Sequence, residues 1–245
     1  MSIRTEHVTL SAGDGTEMRA YVARPEGTPR AGLLVFQEAF GVNGHIRNVT
    51  ERFAANGYLS VAPDLYHRTS PGFESGYVDT AAAFENMRAL TETGLEADIR
   101  AAHEWLANAG ERQICAVGYC MGGRVATMAA YTVPIACGVS YYGGGIAPSQ
   151  YNGGVLDRLT ELQAPMLYFW GGLDHHIPKE SVRMITDSLT AAGKQFTNVE
   201  FSFADHGFFC DERTSYNPQA AALAWPLTLS FFELHTAAKT QPAGA

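Results

Sequence analysis

Val117-Gly118-Tyr119-Cys120-Met121-Gly122-Gly123 decides how this chain is read. Ahead of it, Arg112-Gln113-Ile114-Cys115-Ala116-Val117 is short, apolar and β-prone; behind it, Arg124-Val125-Ala126-Thr127-Met128-Ala129-Ala130 suits a helix. A strand that turns sharply into a helix needs positive φ and close backbone approach, and glycine supplies both. The pattern Gly-x-Cys-x-Gly puts sulfur where a nucleophile elbow usually carries a serine hydroxyl. Such an elbow lifts its central side chain above the sheet, and N–H groups at the helix start can face a developing oxyanion. Cys120 is the candidate nucleophile.

Outward from the elbow, apolar runs at 31–36, 58–62, 135–141 and 165–170 read as strands buried on both faces. Helical patterns cover 44–55, 95–107, 179–192 and 218–234, with a shorter one at 79–88, and 199–203 is strand-like. At the start, Val8-Thr9-Leu10 and 18–23 flank Ala12-Gly13-Asp14-Gly15, a hairpin signal. Alternating strands and helices predict an α/β fold, a mostly parallel central sheet with helices on both faces. The whole chain, 1–245, reads as one domain, with 239–245 a frayed polar tail.

With 46% hydrophobic residues, the chain has material for a large core, and a net charge of −8 argues against a nucleic-acid partner. Met1 to His7 contains no apolar signal core, and no run reaches membrane-spanning length. Cys115, Cys120, Cys137 and Cys210 show neither zinc nor Cys-x-x-Cys spacing, and Cys115 and Cys137 read as inert core residues. The adjacent His175 and His176 cannot project into one metal site. These features predict a cytoplasmic, reduced protein without metal, cofactor or membrane partner, a monomer or small homo-oligomer.

Ligands of such sheets bind outside the carboxyl ends of the strands. Glu38, Cys120, Asp174 and His206 each follow an apolar run, and Cys, Asp, His is the nucleophile-acid-histidine order of the α/β-hydrolase fold. Those positions sit in Gln37-Glu38-Ala39-Phe40-Gly41-Val42-Asn43, Gly118 to Gly123, Gly172-Leu173-Asp174-His175-His176-Ile177-Pro178 and His206-Gly207-Phe208. Together with Pro63-Asp64-Leu65-Tyr66 and Tyr141-Tyr142-Gly143, these segments resemble the dienelactone hydrolase (carboxymethylenebutenolidase) family from the first hairpin to the last helix.

The resemblance implies that Cys120 attacks an ester or lactone carbonyl, His206 moves protons and Asp174 orients His206. It also implies backbone N–H groups of Ala39 and Met121 at the oxyanion, and a Glu38 that helps convert thiol to thiolate when substrate binds. The family holds a substrate carboxylate with two arginines. Cys210 stands at one of those positions here, and the other has no arginine. Arg68, Arg88 and Arg213 are the candidate replacements, and Tyr142 and Phe208 are candidate pocket residues. The chain is thus expected to keep the family's chemistry while preferring another small ester, lactone or thioester. The competing readings are a non-catalytic binding protein and a thiol sensor in which Cys120 pairs with Cys210.

Overall fold

Eight strands form one sheet in the computed structural model, which describes residues 2–78, 80–148 and 153–237. They are β1 (Ile3–Ser11), β2 (Glu17–Pro25), β3 (Ala31–Phe36), β4 (Tyr58–Pro63), β5 (Ile114–Tyr119), β6 (Cys137–Tyr141), β7 (Met166–Gly171) and β8 (Phe196–Phe201). Their spatial order is β1-β2-β4-β3-β5-β6-β7-β8. The hairpin partners β1 and β2 are antiparallel, β2 meets β4 antiparallel, and every later pairing is parallel.

The helices are α1 (Gly44–Ala55), α2 (Ala81–Ala89), α3 (Glu92–Asn108), α4 (Met121–Thr132), α5 (Lys179–Ala191) and α6 (Pro218–Thr236), with a 3-10 helix at Leu156–Glu161. Every residue of β3, β4, β5 and β6 is buried. Successive strand residues point to opposite faces, so helices cover both. On one side α1 and α6 meet through Phe53, whose ring centroid lies 4.6 Å from Trp225 and 5.9 Å from Phe232. α3 and α4 pack against each other and against the central strands.

Helix α3 begins before the apolar pattern does because Thr91 caps it, its hydroxyl accepting from Gly94 N at 3.1 Å. β8 is displaced toward lower numbers from the predicted 199–203, pairing from Met166↔Phe196 to Gly171↔Phe201. Asp79, the predicted start of the 79–88 helix, and the predicted tail 239–245 lie outside the described residues. Parallel strands all end at one edge, so the segments after β3, β5, β7 and β8 gather Glu38, Cys120, Asp174 and His206 there.

Candidate active site

The elbow joins β5 to α4 with glycine where side chains would collide. A Cβ on Gly118 would overlap the Gly122 carbonyl, and one on Gly122 would overlap the Phe36 carbonyl. Cys120 sits between them at φ 55°, ψ −123°, a left-handed conformation unusual for a residue with a Cβ. Such a conformation costs roughly 1–3 kcal/mol and survives only where the surroundings enforce it. Here Cys120 N donates to Tyr141 O at 3.1 Å, while Cys120 O accepts from Gly123 N at 2.9 Å and Gly144 N at 3.3 Å. The half-buried thiol is held over the end of the sheet.

His206 Nδ1 lies 2.8 Å from Asp174 Oδ2, and both residues are buried. The other Asp174 oxygen, Oδ1, accepts from His176 N at 2.7 Å and Ile177 N at 3.0 Å. Burial works against the Asp174 charge, but the His206 hydrogen bond, the His206 charge and these two N–H groups outweigh it and lower its pKa. Burial also works against a charged His206. The Cys120 charge, the Asp174 bond and a hydrogen bond to Cys120 together push it up to about 10. The balance favours the protonated imidazole at His206. His176, edge-on to His206 at 5.1 Å, moves the other way: burial and then the His206 charge lower its pKa.

Cys120 and His206 open onto a cavity of about 700 Å³, open solvent at its mouth included. Ala39, Met121, Phe40, Phe84, Met87, His176, Arg124 and Arg213 line it. Tyr66 links the two candidate oxyanion residues: its hydroxyl donates to Ala39 O at 2.9 Å and contacts Met121 Sδ at 3.3 Å. Met121 opens α4, so its N–H is one of the four without an intrahelical acceptor.

Glu38 is completely buried, and neither carboxylate oxygen has a hydrogen-bond partner. Arg213 Nη1 stands 3.6 Å from Glu38 Oε1, the guanidinium lying over Phe40 and Tyr77. Burial opposes the Arg213 charge, while Glu38 and then Cys120 hold it on, and its pKa is raised.

Of the five candidate substrate contacts, only Arg213 lines this cavity. Arg68 is taken up by Asp98, 2.8 Å from its Nη2, and by Asp14, 2.7 Å from its Nε. Arg88 is exposed in the last turn of α2. Tyr142 and Phe208 are fully buried beneath the histidine, with the Tyr142 ring 5.1 Å from His206 and 5.1 Å from Phe208. They pack beneath His206 and leave the lining to others. Tyr142 sits at φ 39°, a second left-handed residue beside the elbow.

Sequence reasoning missed Arg124. It stands in the first turn of α4, four residues beyond the N-cap Cys120, and lines the same cavity. It makes no ion pair among the described residues, and its Nε is buried without a partner. Burial lowers its pKa, Tyr131 and Glu92 opposing. From so high a starting point arginine still remains charged.

The dienelactone hydrolase family model matches residues 18–236. A protein of Synechocystis sp., provisionally assigned as a carboxymethylenebutenolidase, is 34% identical over 243 residues, covering 95% of this chain and 98% of that one. The carboxymethylenebutenolidase of Pseudomonas putida is 32% identical over 236 residues, covering 93% and 95% respectively. Among solved structures, a Klebsiella pneumoniae protein provisionally called a dienelactone hydrolase superposes with a TM-score of 0.87 at 30% identity, over 95% of this chain and 99% of that one.

Proposed function

The chain belongs to the dienelactone hydrolase family, and we propose that it cleaves small carboxylic esters or lactones bearing an anionic group, with Cys120 as nucleophile. The observation that carries this reading is His206, bonded through Nδ1 to Asp174 and lining the same open cavity as Cys120. With Nδ1 committed, Nε2 is the nitrogen left for proton transfer.

The Cys120 thiolate adds to the substrate carbonyl carbon, and the C=O π pair moves onto oxygen. The Ala39 and Met121 N–H groups receive that oxyanion. On collapse the ester C–O bond breaks, and the His206 imidazolium gives its proton to the departing oxygen. The acyl group now sits on Cys120 as a thioester. His206, neutral again, takes a proton from water; the hydroxide adds to the thioester carbonyl, the C–S bond breaks and the thiolate returns. Asp174 holds the imidazole in one tautomer and supports its charge. Glu38, buried beside Arg213, is the group whose rearrangement on substrate binding helps draw the proton from Cys120.

Arg124 supports the anionic substrate. Arg213 already faces Glu38, whereas Arg124 meets no carboxylate among the described residues while lining the same cavity. A charge-assisted hydrogen bond contributes roughly 1.5–3 kcal/mol, so one ligand carboxylate is enough to set selectivity. The sequence-level expectation of weakened carboxylate recognition rested on two vacant arginine positions, and Arg124 supplies a cation from a third. The test compares a para-nitrophenyl monoester of adipic acid with neutral para-nitrophenyl heptanoate. We expect turnover of both, the anionic ester with the higher kcat/KM, and loss of both in Cys120→Ala. Undiminished turnover in that variant contradicts the nucleophile assignment; equal kcat/KM for the two esters contradicts the anionic preference.

A further inference from the structure

Away from the cavity lining, three side chains distant in sequence converge: Glu38 after β3, His45 at the start of α1 and Cys210 after β8. One potential ligand atom from each lies within 4.8 Å of the others, and all three residues are buried. Neither Glu38 oxygen nor His45 Nε2 has a hydrogen-bond partner among the described residues. Buried polar groups left unpaired cost free energy that a bound group recovers. The second nitrogen of His45, Nδ1, lies 3.8 Å from Asp211 Oδ1. That distance is beyond a hydrogen bond; drawn to about 3 Å, such a carboxylate would orient a metal-binding histidine. Thiolate, imidazole and carboxylate together make a borderline-soft donor set that suits zinc and not magnesium or calcium.

We propose that Glu38, His45 and Cys210 form a binding site for a zinc-like divalent cation, and that filling it switches the enzyme off. The adjacent His175 and His176 drew attention in the sequence; this cluster escaped notice because its members come from three separate segments. With bonds of about 2.0–2.3 Å, donors on one tetrahedral zinc stand roughly 3.3–3.8 Å apart, so the side chains close in by about 1 Å. Binding replaces the Cys210 proton: the S–H bond breaks, a sulfur–metal bond forms and the proton leaves to solvent. Two groups oppose occupancy. Burial, followed by the Glu38 charge, pushes the Cys210 thiol up to about 12, although the Tyr77 hydroxyl favours its thiolate. Arg213 competes with a cation for Glu38. A filled site removes Glu38 from activation of Cys120; this switch rests on the role proposed above for Glu38.

Cobalt is the probe, because a thiolate ligand gives tetrahedral Co²⁺ a charge-transfer absorption. The titration uses the full chain carrying Cys120→Ala, so that the nucleophile cannot supply the sulfur. One equivalent with that absorption is expected, lost when Cys210→Ser is added and weakened by at least about tenfold with His45→Gln. No thiolate absorption in Cys120→Ala, its persistence without Cys210, or unweakened binding in His45→Gln overturns the site. Circular dichroism checks folding, and if Cys210→Ser does not fold, His45→Gln decides alone. In the otherwise wild-type chain, zinc then inhibits ester turnover reversibly by chelator, and Cys210→Ser loses at least about tenfold of that sensitivity. Equal inhibition with and without Cys210 overturns the switch. An enzyme that cleaves no ester defeats the proposed function, while the cobalt titration still decides the metal site.

Discussion

Among the described residues, two buried histidine–aspartate pairs look alike as pairs. His206 and Asp174 are 2.8 Å apart at the ends of β7 and β8; His67 and Asp98 are 3.0 Å apart, between the loop after β4 and α3. What differs is the rest of each histidine. His67 Nδ1 lies 3.1 Å from Glu17 O, and Asp98 is also gripped by two nitrogens of Arg68, at 2.8 Å and 3.0 Å. Both nitrogens of His67 therefore face protein acceptors, and the pair ties β2, the β4 loop and α3 together. His206 spends one nitrogen on Asp174 and keeps the other side for Cys120 and the cavity. A carboxylate–imidazole bond is the same object in both places; what separates them is that His206 shares a cavity with the proposed nucleophile Cys120, whereas His67 meets protein acceptors on both sides.

The largest effect that can break this comparison comes from paired substitutions. Asp174→Asn is expected to lower kcat by about 10⁴-fold through loss of the tautomer and of imidazolium support. Asp98→Asn should leave kcat nearly unchanged and cost about 3–5 kcal/mol in urea unfolding, because it strips the charge from a buried ionic cluster. If Asp98→Asn slows turnover as much as Asp174→Asn does, the division between the two pairs fails.

These two pairs also mark where the sequence was readable. Apolar runs bounded by turns announced the buried strands, and the glycines around Cys120 announced the elbow, since both patterns are local consequences of burial and backbone geometry. Strand ends then delivered Glu38, Asp174 and His206 to one edge without any need for distances. Arg68 failed for the opposite reason: nothing near it in sequence shows that Asp98, thirty residues on, claims its guanidinium. Tyr142 and Phe208 were close to the site but turned beneath it, a choice made by packing against Tyr141 and Phe201. Arg124 was the residue that went unread, in the first turn of a helix whose buried residues are mostly small or apolar.

Arg124 sharpens the comparison at the next scale, as a cavity cation in contrast to Arg68. Arg124→Gln should lower kcat/KM for the adipate monoester by about 10–100-fold, mainly through KM, and leave the heptanoate ester unchanged. Arg68→Gln should alter neither selectivity, and its effect belongs in the unfolding curve. An equal loss for both esters in Arg124→Gln would make that residue structural.

The smallest effect is a pH dependence. The His206 pKa is raised from 6.5 to about 10, so its protonated form stabilises the folded chain. That contribution is whole below about pH 6.5 and is lost as the pH rises toward 10. Asp174, with a lowered pKa, has the opposite sign: its contribution is present above its ordinary 3.8 and is lost on acidification. The stability advantage of wild type over His206→Gln, read from urea midpoints, should therefore shrink between about pH 6.5 and pH 10. A constant or growing advantage would contradict the charged pair.

Trapping the acyl-enzyme tests the central assignment most directly. The protein is quenched in acid during turnover of the para-nitrophenyl adipate monoester and examined by intact-mass and peptide mass spectrometry. One acyl group per chain on the peptide holding Cys120 is the expected result, absent in Cys120→Ala, strongly reduced in Asp174→Asn and unchanged in Asp98→Asn. An acyl group on any other residue, or one that forms as fast without Asp174 as with it, would contradict the account.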